Sequence, residues 1–270
     1  MTAQENVIEL NKLSYKVGNN YLLRDIDWKV KQGEHWVVFG ANGSGKTTLL
    51  SIIAGMQYYT DGYVKVLGES FNKENILKIR KCVGLVSVSY FEKYYTKESA
   101  LNIVLSGLCG TLCVDGRITL KDIKKAKDLL QAVGLGKKAD HTFDMFSKGE
   151  RQNILIARAL ICNPSVLILD EPCTGLDMHN RSNLFSTIDK ISQKDNLTII
   201  YVTHYSEEIL PMFQKALLLK NGRIFEKGKT EELFSSEILT NYFNVPVIAD
   251  NATKLRSFTL QIESSLTDLL

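Results

Sequence analysis

A glycine-rich segment, residues 40–47, constrains the fold of this chain more than any other feature. It follows the apolar run His35–Phe39, precedes the helical pattern Thr47–Ala54, and reads Gly40-Ala41-Asn42-Gly43-Ser44-Gly45-Lys46-Thr47. The pattern G-x-x-x-x-G-K-[ST] between a buried strand and a helix is typical of a phosphate-binding loop, or P-loop. Its glycines let backbone N–H groups and the helix N-terminus face phosphate oxygens. The segment therefore predicts an ATP site at the start of an α/β domain.

The polar side chains of this loop and of a later strand predict how the phosphates and a metal ion are held. We expect the Lys46 ammonium between the β- and γ-phosphates, the Thr47 hydroxyl on Mg²⁺, and Thr48 as the last ATP contact of the loop. The apolar run Val166–Leu169 ends in Asp170 and Glu171. Burial of that strand beside the P-loop would let Asp170 hold Mg²⁺ through water, and Glu171 polarise the attacking water. Taken alone, this pair fits an ordinary acidic turn equally well.

Composition limits the functions open to the chain. Its 270 residues suit one large α/β domain or one domain with an inserted subdomain. Hydrophobic content of 44% and charged content of 23% predict a soluble globular protein, and a net charge of +3 gives no strong nucleic-acid signal. No apolar run approaches the ~20 residues that span a bilayer, so we expect a cytoplasmic chain. The five cysteines form no Cys-x-x-Cys pair and are expected as reduced thiols.

Apolar patterning separates the chain into regions. Short strands open the chain, a helical pattern follows from about residue 89 to 160, and further short strands come after it. The predicted strands, besides His35–Phe39, are Val7–Leu10, Leu13–Val17, Ile26–Val30, Tyr63–Leu67, Val83–Val88, Val166–Leu169, Thr198–Val202, Ala216–Leu219 and Arg223–Glu226. The last two flank Asn221-Gly222, a pair that suits a type I′ hairpin turn. The tail from about Val245 has weak periodicity.

Further motifs, in a fixed order, resemble one family. The segment Phe146–Glu150, with the helical run Arg151–Leu160 after it, resembles the signature of the ABC (ATP-binding cassette) ATPases. The segment Thr174–Asp177 resembles the D-loop of that family, and Thr203-His204 resembles its switch histidine. With the P-loop and the Asp170-Glu171 strand end, these motifs span about residues 5–230.

The resemblance implies the architecture. We expect an α/β fold whose P-loop NTPase core has a mostly parallel sheet, with an N-terminal antiparallel β subdomain and an inserted helical subdomain. The expected ABC ATPase domain covers residues 5–240, with the helical insertion at about residues 89–160. Residues 241–270 form a C-terminal tail of uncertain structure.

The resemblance also implies a site shared between two cassettes. In a homodimer, or with a paired ABC subunit, two cassettes would bind head to tail, each ATP held by one P-loop and the partner's signature. Ser147 and the Gly149 N–H would make that contact in trans. Lys148 and Glu150 complete the signature and change its usual charge.

The resemblance implies a catalytic role for three side chains, and for a fourth a role in linking the two ATP sites. Glu171 would be the catalytic base, and His204 would contact the γ-phosphate and the attacking water. Lys46 completes the catalytic set. Asp177 would link the two sites across the dimer.

The chain departs from the family pattern at the position that contacts the metal ion and at the position that stacks on adenine. Valine stands at position 88, where the family has a metal-contacting glutamine, so we expect intact binding with slow or partner-dependent hydrolysis. Ser87 or Ser89 is the candidate substitute contact for Mg²⁺ or its waters. The family's adenine-stacking aromatic falls on Val17, with Tyr15 on the same strand face. Tyr15 either stacks on adenine or is a core tyrosine. The segment Gly33–Trp36 and the missing glutamine are similar to a ModF-type subgroup.

The partners implied by the resemblance include a membrane protein. We expect an integral membrane permease subunit and a peripheral location at the cytoplasmic face of the membrane. The aromatic segment Tyr90–Tyr95 either meets that subunit or covers the inserted helices. A soluble ABC ATPase acting on nucleic acid or ribosome, and a nucleotide switch with negligible turnover, are the alternatives.

Overall fold

The structure, a computed structural model, describes residues 5–72, 74–116, 118–250 and 257–260. The strands are β1 Asn6–Val17, β2 Asn20–Lys31, β3 His35–Phe39, β4 Asp61–Val66, β5 Glu69–Ser70, β6 Val83–Val86, β7 Val166–Asp170, β8 Thr198–Thr203, β9 Lys215–Lys220, β10 Arg223–Lys229, β11 Val247–Asp250 and β12 Ser257–Leu260. The helices are α1 Lys46–Ile53, α2 Ile76–Cys82, α3 Val88–Tyr95, α4 Ala100–Cys109, α5 Leu120–Ala132, α6 Lys148–Leu160, α7 Met178–Ser192, α8 Thr230–Leu233 and α9 Ser236–Phe243.

The central sheet brings three strand ends to one edge. Its order is β10-β9-β3-β8-β7-β6, and its neighbouring strands are parallel except the β9–β10 hairpin. Every residue of β7 and β8 is buried, as expected of parallel strands covered on both faces. Phe39 pairs with Thr203, and Asp170 with Val202. The carboxyl ends of β3, β7 and β8 therefore meet, which is where open α/β sheets bind ligands.

A second, antiparallel sheet has the order β2-β1-β4-β5 and matches the expected N-terminal β subdomain. The two strands predicted at Val7–Leu10 and Leu13–Val17 form the single strand β1. A register shift separates them, and Lys12 there has a φ of 46°. The start of β2 lies against the P-loop, because a Cβ built on Gly45 would lie 2.9 Å from the Leu22 carbonyl oxygen. Since Gly45 also has a φ of 103°, only glycine suits this position.

The helical insertion lies between β6 and β7 and contains α3, α4, α5 and α6. The predicted strand Val83–Val88 is wrong at its end, since β6 stops at Val86 and Val88 opens α3. Ser87 has an extended backbone and precedes the helix. From Val88 onward, Val88, Phe91 and Tyr95 are spaced as on one face of a helix. Phe91 and Tyr95 are buried beneath the insertion and stack at 5.4 Å, whereas Tyr94 is exposed. Phe91 and Tyr95 therefore cover the inserted helices, and a contact of the segment Tyr90–Tyr95 with a membrane subunit stays a prediction.

The C-terminal segment adds structure beyond the predicted domain boundary. Helix α9 crosses residue 240, and β11 pairs with β12 in a short hairpin. In the preceding β9–β10 hairpin, Asn221 and Gly222 both have positive φ, as a type I′ turn requires. The five cysteines are free thiols. None of the helices described is long and apolar enough to cross a membrane.

Candidate functional site

The P-loop closes around the side chain of Lys46. This lysine is the first residue of α1 and is only 4% exposed, although it carries a charge. Its Nζ donates to the carbonyl oxygens of Gly40 at 2.7 Å and Ala41 at 3.0 Å, and lies 3.3 Å from Glu171 Oε1. A buried ammonium is tolerated only when its protons are bonded, and here the loop and the β7 end bond them. The charge is therefore held at the floor of the loop.

A serine hydroxyl in the same loop is buried. Ser44 Oγ has no hydrogen-bond partner among the described residues. An unpaired buried hydroxyl is unfavourable, so this atom is free to bond an incoming oxygen.

The end of β7 joins two hydroxyl groups to a buried carboxylate. Asp170 Oδ1 accepts from Thr47 Oγ1 at 3.4 Å, and Oδ2 accepts from Ser87 Oγ at 3.0 Å. Burial raises the pKa of Asp170, a rise that the Ser87 and Thr47 hydroxyls oppose. Ser89 bonds to Ser87 Oγ at 3.2 Å instead of reaching Asp170 directly. Of the two serines considered as metal contacts, Ser87 is the one bonded to Asp170.

Glu171 and His204 meet where β7 and β8 end. Glu171 Oε1 lies 3.3 Å from His204 Nδ1 and, as above, 3.3 Å from Lys46 Nζ. The Glu171 backbone has a φ of 47°, an uncommon conformation for a residue with a side chain, and its N–H donates to Val202 O at 3.1 Å. Strain of this kind persists only where the surroundings hold it. The Glu171 carboxylate is thus fixed between the P-loop and the residue after β8.

A cavity of about 510 Å³ opens beside the P-loop. It is lined by Asn42, Gly43, Gly45, Lys46, Thr47, Thr48, Glu171, Tyr21, Leu22, Asn221 and Gly222. The last four belong to β2 and the β9–β10 turn, and sequence analysis did not assign them to the site. The turn is tied to the loop by the Gly222 N–H, which donates to Ser44 O at 3.0 Å. This volume suits a nucleotide-sized ligand.

The aromatic side chain that lines this cavity is Tyr21, whereas the adenine contact is predicted at Tyr15 or Val17. Neither of those two residues lines the cavity. Tyr15 accepts a hydrogen bond from Gln57 at 3.0 Å, and Val17 is more than half exposed. Register shifts in β1 break the strand alternation on which the prediction relied. Tyr21 pairs with Lys16 across the hairpin, a signal that only the strand register reveals.

A second cavity, of about 170 Å³, lies on the other side of Glu171. It is bordered by Val88, Ser89, Glu92, Lys148, Gln152, Asp170, Glu171, Pro172, Thr174 and Leu176. Val88 therefore stands beside both carboxylates and offers them no polar atom. The Gln152 side chain is buried, and its Nε2 has no partner among the described residues. No sequence pattern singles out this glutamine, because it is one of many polar residues on the signature helix α6.

The signature residues lie apart from the P-loop cavity. Ser147 caps α6, accepting from the Glu150 N–H at 3.3 Å while Glu150 Oε2 accepts from the Ser147 N–H at 2.9 Å. Ser147 and Lys148 are exposed. A Cβ built on Gly149 would lie 3.4 Å from Leu176 Cδ2, within ordinary contact distance. The α6 N-terminus faces outward and does not contribute to the chain's own P-loop cavity.

Asp177 caps helix α7 at the surface. Its carboxylate accepts from the Asn180 N–H and from Asn180 Nδ2, both at 2.8 Å. These bonds lower the pKa of Asp177, so it stays ionised and ordered. The side chain is exposed and does not line either cavity.

Comparison with known proteins settles the family. A sequence model described as "ABC transporter" matches residues 23–174, more than half of the chain. The chain belongs to the ABC transporter family. As expected of that family, this ABC protein has the P-loop, the β7 carboxylates and the residue after β8 at one sheet edge. It binds and hydrolyses ATP, as ABC-type ATPases do.

Relatives and solved structures extend the match over most of this ABC ATPase. It is 42% identical to the ABC transporter ATP-binding protein YlmA of Bacillus subtilis, over 89% of this chain and 92% of that one. It is 30% identical to an energy-coupling factor transporter ATP-binding protein of Ligilactobacillus salivarius, over 89% and 85%. A metal-chelate type ABC transporter in an inward-facing conformation contains a chain 25% identical, with a TM-score of 0.75 over 98% of this chain and 99% of that one. A dimeric bacterial ABC transporter cassette is 26% identical, with a TM-score of 0.71 over 82% and 98%.

Proposed function

We propose that this ATPase hydrolyses Mg²⁺-ATP in a site shared by two cassettes and thereby powers an integral membrane permease at the cytoplasmic face of the membrane. One observation carries the proposal. Lys46 and Glu171 line a cavity of about 510 Å³ and lie 3.3 Å apart, with His204 against Glu171 and Asp170 bonded to Thr47 of the same cavity. A phosphate-binding cation, a base candidate and a metal-type carboxylate thus lie at one edge of the sheet.

The residues present fit a magnesium ion. Thr47 Oγ1 and Asp170 Oδ1 lie 3.4 Å apart, so one hydroxyl and one carboxylate oxygen face a common point. Mg²⁺ prefers oxygen ligands and keeps several waters, so two protein ligands with phosphate oxygens suffice. The ion, when bound, neutralises charge that develops on the transferring phosphoryl group.

The protein's own groups then have separable tasks. Lys46 and the loop N–H groups bind the phosphates, and the unpaired Ser44 hydroxyl is available to a phosphate oxygen. The Glu171 carboxylate orients the attacking water and takes up its proton. His204 fixes Glu171 through the 3.3 Å contact of Nδ1 with Oε1. Each task depends on a side chain that the sheet edge holds in position.

The outward signature supports a site completed by a second subunit. Ser147 and the α6 N-terminus are exposed and lie outside the P-loop cavity. A capped helix N-terminus is suited to an anion, so it would receive the γ-phosphate of ATP held by another cassette. Asp177, also exposed, would lie at that seam. One solved relative is a dimeric cassette, which is consistent with this arrangement.

The shared site and the membrane partner are tested together. We expect the purified chain to release phosphate from Mg²⁺-ATP, and ATP to shift it from monomer to dimer in light scattering. We also expect it to co-purify from native membranes with one integral membrane subunit in a fixed ratio. If the hydrolytically active chain co-purified with no integral membrane subunit, the ATPase would be retained and the transport proposal overturned. Dimer formation that ignores ATP would overturn the shared site.

Val88→Gln is expected to raise kcat roughly tenfold, or about 1.4 kcal/mol. Val88 borders the second cavity with Asp170 and Glu171, so a glutamine amide at this position would reach the metal or the attacking water. Val88→Leu is the matched control, because it adds length without a polar group and should leave kcat unchanged. The measurement is phosphate release at saturating ATP. Equal rates for both variants would show that position 88 does not limit turnover.

Tyr21→Ala is expected to raise the Kd of ADP roughly tenfold. Tyr21 lines the P-loop cavity, and stacking of a base on an aromatic ring contributes about 1–3 kcal/mol. Calorimetry with ADP and with inorganic tripolyphosphate separates base from phosphate, because only the affinity for ADP should fall. Tyr15→Ala, on the neighbouring strand, is the matched control and should retain ADP affinity. The opposite ranking of the two variants would return the adenine to Tyr15.

A further inference from the structure

The C-terminal helix α9 contacts the P-loop strand through a buried tyrosine. Tyr242 is 3% exposed, and its hydroxyl donates to the carbonyl oxygen of Leu219 at 2.9 Å. Leu219 lies near the end of β9, two residues before the turn that lines the ATP cavity. The Tyr242 hydroxyl therefore bonds to the end of β9 beside the ATP cavity, although Tyr242 lies far from the P-loop in the sequence.

The same hydroxyl faces the start of the P-loop. A Cβ built on Gly40 would lie 2.5 Å from the Leu219 carbonyl oxygen, so Gly40 packs directly against the acceptor of the Tyr242 bond. The backbone N–H of Ala41 also approaches the hydroxyl and lowers the pKa of Tyr242, against a larger rise caused by burial. The hydroxyl thus lies between the β9 end and the first two residues of the loop.

Aromatic packing fixes α9 at this place. Phe39, the residue before Gly40, has ring neighbours in Phe234 at 5.2 Å, Tyr242 at 6.3 Å, Phe243 at 6.4 Å and Phe258 at 6.3 Å. The contacts with Phe234, Phe243 and Phe258 are edge-to-face, an arrangement that adds stability beyond the buried area. Lys220 Nζ donates to the Tyr242 carbonyl oxygen and lies 5.6 Å from the Tyr242 ring. Helix α9 and Phe258 of β12 are therefore held on the last residue of β3.

These contacts converge on the backbone atoms that hold the catalytic lysine. The carbonyl oxygens of Gly40 and Ala41 accept the two hydrogen bonds of Lys46 Nζ. Whatever fixes these two residues also fixes the ammonium before ATP arrives, and preorganisation of this kind strengthens binding. We propose that Tyr242 is a positioning residue for the P-loop, through which the C-terminal segment sets the affinity of the chain for nucleotide.

Tyr242→Phe tests this inference because it removes the hydroxyl and keeps the ring. We expect the Kd of Mg²⁺-ADP, measured by calorimetry on the full chain, to rise about three- to tenfold, the effect of one net hydrogen bond. The kcat at saturating ATP should stay within about twofold, since the reacting groups are unchanged. The KM for ATP should rise with the Kd.

Tyr95→Phe is the matched control. Tyr95 is also a buried tyrosine whose hydroxyl is bonded, to Arg158 Nε at 2.9 Å and Ser106 Oγ at 3.1 Å, but it lies in the helical insertion. This variant should lose thermal stability as Tyr242→Phe does, and should keep the wild-type Kd. Equal Kd values for both variants and wild type would reduce Tyr242 to a packing residue and overturn the proposal.

A measurement on the unaltered protein avoids dependence on any variant. Coupling between two sites is reciprocal, so nucleotide must order α9 if α9 orders the P-loop. We expect the amides of residues 236–243 to exchange at least about threefold more slowly with deuterium when Mg²⁺-ADP is bound. Unchanged exchange there, with slowed exchange in the loop itself, would refute the coupling.

Discussion

Glu171→Gln stops steady-state ATP hydrolysis while ATP still binds, with an expected fall in kcat of at least about 100-fold. The substitution keeps the shape of the side chain and removes the negative charge that polarises water. In the structure, Glu171 Oε1 lies 3.3 Å from both Lys46 Nζ and His204 Nδ1, so the charge is directed at the P-loop cavity. Because ATP is bound and not cleaved, an ATP-bound dimer should accumulate, which light scattering with ATP measures beside phosphate release.

The chain offers a matched control for this variant. Glu69 has the same side-chain exposure as Glu171, 28%, and is likewise paired with a lysine, Lys78, but lies on β5 away from the cavity. Glu69→Gln should hydrolyse ATP at the wild-type rate. Retention of a tenth or more of wild-type turnover by Glu171→Gln would remove this carboxylate from catalysis. A monomer that holds ATP would retain the catalytic role and contradict the shared site.

Local patterns predict those parts of the site that one segment encodes. The P-loop needs its glycines, lysine and threonine in one order, and the structure has them between β3 and α1 as expected. Asp170 and Glu171 end a run of apolar residues, so burial of β7 alone brings them to the sheet edge. Asn221-Gly222 similarly encodes its turn through the positive φ that both residues adopt.

Features that depend on distant contacts could not be predicted in this way. The strand before Ser87 ends where that hydroxyl meets Asp170, 83 residues away, and no local pattern contains this bond. Tyr21 replaces Tyr15 at the cavity because β1 shifts its register and β2 packs on Gly45. Tyr242, which contacts Leu219 and the P-loop, lies in the range 241–270, for which the sequence predicted no definite structure. The sequence therefore predicts the catalytic side chains better than it predicts the distant residues that hold them in position.

The geometry also divides the predicted residues into two sets with different requirements. Lys46, Glu171 and His204 are in contact within one chain, and Asp170 bonds the P-loop residue Thr47, so variants of these four should alter ATP binding or cleavage in every assay. Ser147 faces outward, so its replacement should affect only activity that depends on the dimer. Kinetics at low and high protein concentration would separate the two sets, since dimer formation depends on concentration.

Lys46→Ala raises the Kd for Mg²⁺-ATP at least about 100-fold, the second large effect that we expect. Charge-assisted hydrogen bonds contribute about 1.5–3 kcal/mol each, and an ammonium between two phosphates makes more than one. Lys46 is only 4% exposed, and its ammonium already bonds to the loop carbonyls. Among the residues that line this cavity, no other cation is available to substitute for it. Calorimetry measures the Kd directly.

Thermal unfolding of the Lys46→Ala variant gives an independent check on that loss. ATP at 100 times the wild-type Kd stabilises the wild type by about 2.7 kcal/mol and a variant with a 100-fold higher Kd by about 0.4 kcal/mol, so the ATP-dependent rise in Tm should largely disappear in Lys46→Ala. Lys78→Ala, which removes the lysine partner of Glu69, is the control and should keep the full ATP-dependent rise. A wild-type rise in Lys46→Ala would mean that the P-loop lysine does not hold the phosphates. In that case the contact between Lys46 and Glu171 serves the folded state, and ATP affinity rests on the loop N–H groups alone.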